Sequence, residues 1–261
     1  MIRRVWAIAR NTFREAVRNK ILYSPLFFAI LLIASAVALG RLSMNEELRM
    51  TRDIGLFGID LFGVLIAIFV GVNLLYKELE LKTVYTILPK PLRRWEFVLG
   101  KWLGMLITLA VQMAVMGVAL YATLAVQGAE LGGAVLALWL LYVNVVVVTS
   151  VAVLFSSFST PFLSGFFALG VFFVGRSVAD LQQAATKMGG AAQTLVDGAS
   201  WVLPNLHLFY PSGAIIGSEH VSVHGTLIGA DYLVWNTVYG AGYSLVVLVL
   251  AMAIFSRRDF V

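Results

Sequence analysis

The chain has 261 residues, of which 60% are hydrophobic and 13% charged, with a mean hydropathy of +0.90. That balance leaves too little polar surface for a soluble globule and marks an integral membrane protein. The absence of cysteine excludes disulfides, thiolate metal sites and a thiol nucleophile, and the net charge of +5 is no nucleic-acid signature, because the basic residues sort by membrane side.

Residues 1–20 read as an amphipathic helix in the membrane interface. Ile2, Val5, Trp6, Ala9, Phe13, Ala16 and Val17 recur at helical spacing, while Arg3, Arg10, Arg14 and Arg18 mostly take the opposite side. Ala34-Ser35-Ala36 has the small-residue pattern of a cleavage site, but the basic lead is too long for a signal peptide and further apolar runs follow, so the segment is expected to be retained. Apolar runs long enough to cross a bilayer as helices cover about residues 22–42, 55–75, 99–126, 131–155, 160–178 and 233–255. The expected fold is an all-α integral membrane protein with six transmembrane helices in a single domain. Residues 1–21, 76–101 and 256–261 hold 14 of the 19 Lys and Arg, which predicts that these segments, and both termini, are cytoplasmic.

Between the second and third runs lies the stretch Tyr76 to Gly104, the one long polar interruption in the first two thirds of the chain. It predicts a short cytoplasmic coupling helix carrying Glu78, Glu80 and Lys82, with Leu79, Val84 and Ile87 on its apolar side. Pro89 and Pro91 would end that helix, since neither offers a backbone donor. A docking handle for a soluble partner is the expected role, and a solvated interhelical loop is the alternative. Residues 179–232, on the other side, contain short apolar runs around Leu195, Trp201 to Tyr210 and Ala214 to Ile216. These predict short re-entrant helices that do not span.

Polar residues within apolar runs normally face other helices or a cavity. Asp60 and Asn73 flank the second run, Thr108 and Gln112 lie in the third and Asn144 in the fourth; each is a candidate for interhelical hydrogen bonding or for lining a path. Arg176 and Asp180, four apart, have the spacing to pair on one helix face, with snorkelling of Arg176 to the interface as the alternative. Gly100 and Gly104 permit a close helix approach. His220 and His224 beside Glu219 have metal-compatible spacing on a helix, but the surrounding glycines and valines argue for ordinary loop histidines and no metal. Met113 and Met116 read as packing. There is no nucleophile-elbow serine and no Gly-x4-Gly-Lys-Ser/Thr loop, Gly100-Lys101 being followed by Trp102, so this chain is not expected to be an enzyme and any ATP would be hydrolysed by another polypeptide.

Glu78/Glu80, Leu88-Pro89-Lys90-Pro91, Arg93/Arg94 and Gly100-Lys101, together with the amphipathic start, the six runs and Leu203-Pro204-Asn205 before the last of them, resemble the permease family of type-2 ATP-binding-cassette exporters. Lys82-Thr83 stands where that family often has Gly-Thr. The resemblance implies an inner-membrane dimer of six-span subunits, formed with a second copy or a paralogue. It also implies two separate cytoplasmic ATPase subunits that bind ATP and Mg. Glu78, Glu80, Lys82, Thr83, Leu88, Pro89, Pro91, Arg93 and Arg94 would be the ATPase-docking residues; Asn73, Gln112, Asn144, Arg176 and Asp180 would line a path or join helices. Two expectations stand open: export of a hydrophobic or amphiphilic substrate, or transmission of force to an extracytoplasmic assembly or metalloenzyme-maturation system without moving a solute. An ion-gradient carrier is the weakest reading.

Overall fold

The computed structural model describes residues 2–18, 23–42, 47–80, 93–128, 132–188, 190–210, 212–216, 219–222 and 229–257. In chain order the helices are α1 (Ile2–Arg18), α2 (Tyr23–Leu42), α3 (Glu47–Glu80), α4 (Arg94–Val126), α5 (Gly132–Ser156), α6 (Pro161–Arg176), α7 (Val178–Met188) and α8 (Gly190–Val202). A 3-10 turn (Leu206–Phe209), strands β1 (Ser212–Ile216) and β2 (Glu219–Ser222), and α9 (Ala230–Arg257) complete the order.

Helix ends follow local chemistry. The Arg93 backbone N–H donates to Glu96 Oε2 at 3.3 Å, which places a carboxylate at the positive end of α4. At the other end Gly128, with φ +73°, turns the chain out of the helix, a conformation that a side chain would strain. Pro161 opens α6, where its missing N–H costs nothing.

The bundle is built around α3, which packs on α2, α4, α5 and α6, and around α5, which packs on α3, α4, α6 and α9. Its centre is largely apolar: Ile66, Met105, Leu109, Met116, Leu140 and Val145 are fully buried. With little water to be gained from hydrocarbon, close approach does much of the work here. An added Cβ on Gly71 would lie 2.8 Å from that of Ala152, and one on Gly58 2.8 Å from Leu32 Cδ2.

Among the described residues four helices are long and apolar enough to cross a membrane: Leu48–Asn73, Arg94–Val126, Val135–Ser156 and Ala230–Ser256. Pro161–Arg176 and Val178–Lys187 make a fifth if taken as one broken span, bent by 58°. The apolar helix Pro25–Ala38 is shorter.

The fifth run, expected over about residues 160–178, corresponds to α6 within two residues at each end, and the chain breaks at Ser177. That residue caps α6 through its N–H to Phe173 O and accepts from Leu181 N to open α7, with Asp180 in the first turn. The coupling helix expected between the second and third runs falls largely on residues 81–92, which lie outside the described residues; residues 76–80 continue α3 and residues 94–98 open α4. One expectation needs correction: Ser212–Ile216 and Glu219–Ser222 are not helical. Ser212–Ile216 and Glu219–Ser222 pair antiparallel, with Ile216 opposite Glu219, so the apolar run Ala214 to Ile216 is a strand rather than part of a re-entrant helix.

Candidate functional site

The densest polar constellation lies inside the bundle. Asp60 on α3 is 1% exposed, and a carboxylate at that depth needs a partner. It has two: the Arg176 guanidinium at the C-terminal end of α6 forms an ion pair with it, and Asn144 Nδ2 on α5 donates to Asp60 Oδ1 at 2.7 Å. Arg176 also lies 4.0 Å from the centre of the Tyr210 ring, a cation–π distance. Burial pushes the Tyr210 phenol up to about 12. Three helices and the segment after the 3-10 turn thus converge on one charge pair.

That segment is itself clamped. An added Cβ on Gly175 would lie 2.6 Å from Pro204 O, so only glycine lets the Leu203-Pro204-Asn205 step press against α6. On its other side Tyr232 donates to Leu208 O at 2.6 Å, Tyr243 donates to Val202 O at 3.0 Å, and Asn205 N donates to the Tyr239 hydroxyl at 3.0 Å. Fully buried Phe209 stacks on Tyr239. A tyrosine ladder on α9 therefore holds one face of the step and α6 holds the other.

A second joint lies at the start of α4. An added Cβ on Gly100 would sit 2.7 Å from Ile8 Cβ, and one on Gly104 2.6 Å from Ala9 O and from Thr12 Cβ. The helix seated in this groove is α1, through Val5, Ala9, Thr12 and Ala16. Lys101, 3% exposed, reaches Glu15 Oε2 at 3.3 Å and lies over Phe97 at 5.8 Å. Nearby, Arg94 Nη1 donates to Ser256 O at 2.9 Å and ties α4 to the end of α9.

The two members of the Lys101–Glu15 pair are not equivalent, because the ammonium is buried and the carboxylate keeps 30% exposure. Glu15→Ala is expected to cost about 2 kcal/mol by taking a carboxylate away from a buried cation, whereas Lys101→Met fills the same space without charge and is expected to be within about 1 kcal/mol of neutral. Denaturant titration of the purified chain in detergent checks this; equal losses from both variants would contradict it.

A family model described as ABC-2 family transporter protein matches residues 6–260. The chain belongs to this family. It is thus a multi-pass membrane protein of the ABC transporter permease type, the membrane component and not itself the ATPase. Comparison with curated proteins finds no match.

In this ABC-2 permease the sequence-derived site residues fall into separate places. Glu78 and Glu80 are on the last turn of α3, with side chains outside the described residues, as are Lys82, Thr83, Leu88, Pro89 and Pro91 entirely. Arg93 and Arg94 are exposed at the start of α4. Gln112 is buried within α4. Asn73 is exposed and donates to Phe69 O of its own helix, and Thr108 likewise donates to Gly104 O. The Arg176–Asp180 pair does not form: the break at Ser177 destroys the four-residue helical spacing, and Arg176 turns to Asp60 instead. His220 and Glu219 are on a strand, which removes the helical spacing that metal binding needed, and His224 lies outside the described residues. Tyr210 and Glu15 escaped the sequence reading. The usable signal was scarcity, since an acid and a base isolated in separate apolar runs have few partners but each other.

Proposed function

We propose that this chain is the permease subunit of an ATP-driven exporter of a hydrophobic or amphiphilic substrate. It would work with a second permease copy or a paralogue, and two cytoplasmic ATPase subunits would bind ATP and Mg. The observation that carries this reading is family membership across residues 6–260 in a chain without a phosphate-binding loop. On this reading six crossings, with α2 and the bent α6–α7 pair each counted as one, would leave both termini on one side, and the concentration of Lys and Arg in residues 1–21, 76–101 and 256–261 supports the cytoplasmic side of a prokaryotic inner membrane. α3 ends at Glu80 and α4 starts at Arg94, and the two helices pack together. A partner pressing on the intervening residues, through Glu78, Glu80, Lys82, Thr83, Leu88, Pro89, Pro91, Arg93 and Arg94, therefore acts on both helices at once. The near absence of charge from α5 and α6 suits an apolar cargo.

A second reading has this subunit transmit force to an extracytoplasmic assembly without moving a solute. The Asp60–Asn144–Arg176 cluster favours it, because its two charged groups bind one another rather than line an opening.

Purification from native membranes tests the first claim, with a co-purifying ATPase that carries a phosphate-binding loop as the expected result. Glu80→Arg with Arg93→Glu is expected to reduce that co-purification at least tenfold. Activity driven by an ion gradient, persisting with no ATPase subunit present, would overturn the proposal. Extracytoplasmic proteins in the same sample, with no stimulation of ATPase by small amphiphiles, would select force transmission.

A further inference from the structure

The outer surface of α1 carries two parallel rows. At 100° per residue, Ile2, Trp6, Phe13 and Val17 fall on one line of the helix and Arg10, Arg14 and Arg18 on the adjacent one. Val5, Ala9, Thr12 and Ala16 form the line buried against α4. Ile2, Trp6 and Val17 are 81%, 60% and 43% exposed, and Arg3, Arg10, Arg14 and Arg18 are all exposed. Because Gly100 and Gly104 seat the third line, the apolar and basic rows face away from the bundle side by side.

The seat also sets the depth. α4 has 33 residues, hence a length of about 50 Å against a hydrocarbon core of about 30 Å, so the first turns beside Gly100 stand in the headgroup layer. Like charges four residues apart repel, and the acid within this helix, Glu15, is engaged by Lys101. The row therefore calls for external anions.

We propose that α1 is a recognition surface for anionic phospholipid. The Arg10–Arg14–Arg18 row holds the negatively charged headgroups, while Ile2, Trp6 and Val17 enter the boundary with the acyl chains. An acidic protein surface would match the arginines but leave the apolar row in water, which is why lipid is the favoured occupant. The inference is independent of the transport reading.

The test uses the full chain in mild detergent, titrated with phosphatidylglycerol and, separately, with phosphatidylcholine, while native mass spectrometry counts the lipids retained. Phosphatidylglycerol is expected to be preferred, and the preference to weaken with salt. Near an anionic surface each arginine contributes about fivefold, so Arg10→Gln/Arg14→Gln/Arg18→Gln should reduce the preference at least about tenfold. The corresponding triple Lys variant should keep most of it. An unchanged preference in the Gln variant overturns the proposal, as does loss of a co-purifying ATPase with lipid preference intact, which would assign the row to a protein partner. Should the Gln variant fail to accumulate, quenching in vesicles decides. The fluorescence that Trp6→Phe removes should be quenched more by brominated phosphatidylglycerol than by brominated phosphatidylcholine, and equal quenching counts against the proposal.

Discussion

Replacing Arg176 with alanine is expected to destabilise the protein by about 3 kcal/mol, because it strands the Asp60 carboxylate in a site with 1% exposure. Asn144 alone gives Asp60 one hydrogen bond, too little for a buried anion. Asp60→Asn should cost less, roughly 1 kcal/mol, since Arg176 keeps 26% exposure, retains the Tyr210 ring and can turn its charge toward polar surroundings. The double variant Asp60→Asn/Arg176→Gln, which removes both charges, should recover part of the loss seen with Arg176→Ala. Denaturant titration of the purified chain measures all three. A midpoint for Arg176→Ala equal to that of the unaltered protein would show that the pair does not hold the helices.

Gly104→Leu is expected to detach α1 from the bundle. Even a methyl group there would meet Ala9 O at 2.6 Å, and backbone cannot step aside as a side-chain tip can. Overpacking of this kind costs about 1–3 kcal/mol, comparable to what a single helix contact line supplies, so α1 should separate while the rest of the bundle persists. Hydrogen exchange should then rise in residues 2–18 alone. Protection there unchanged from the original chain would mean that α1 is held by something other than the glycine groove.

The helical nature of the apolar runs was legible because bilayer-length hydrophobic stretches admit few other structures. Thus Arg94–Val126 and Gly132–Ser156 begin and end within a few residues of the limits read from hydropathy. What hydropathy could not supply was the break at Ser177. The Ser177-x-x-Asp180 spacing is a helix-start signal lodged where an apolar run fades, and a window average passes over it. Partners were equally hidden. Arg176 and Asp60 are 116 residues apart, and only the packing of α6 on α3 brings them together. The glycine pair Gly100 and Gly104 announced a close approach without naming its neighbour, since any helix with small residues at matching spacing fits such a groove. The antiparallel strands at 212–222 were missed because a run as short as Ala214 to Ile216 has no period that separates strand from helix.

The continuity of α3 has a mechanical consequence. Its 34 residues make a rod about 50 Å long, which exceeds the hydrocarbon thickness by about 20 Å. A helix with hydrogen bonds throughout is stiff along its axis, so displacement at one end is not absorbed midway. If such a rod tilts by about 10° around its midpoint, each end sweeps about 4 Å, in opposite directions. Asp60 sits near that midpoint, about 30 Å from Glu80, so the charge cluster occupies the position of a fulcrum. Rocking about this pivot would let a modest shove at Glu80 reappear, reversed in sense, at Glu47, while the groups gathered around Asp60 barely move.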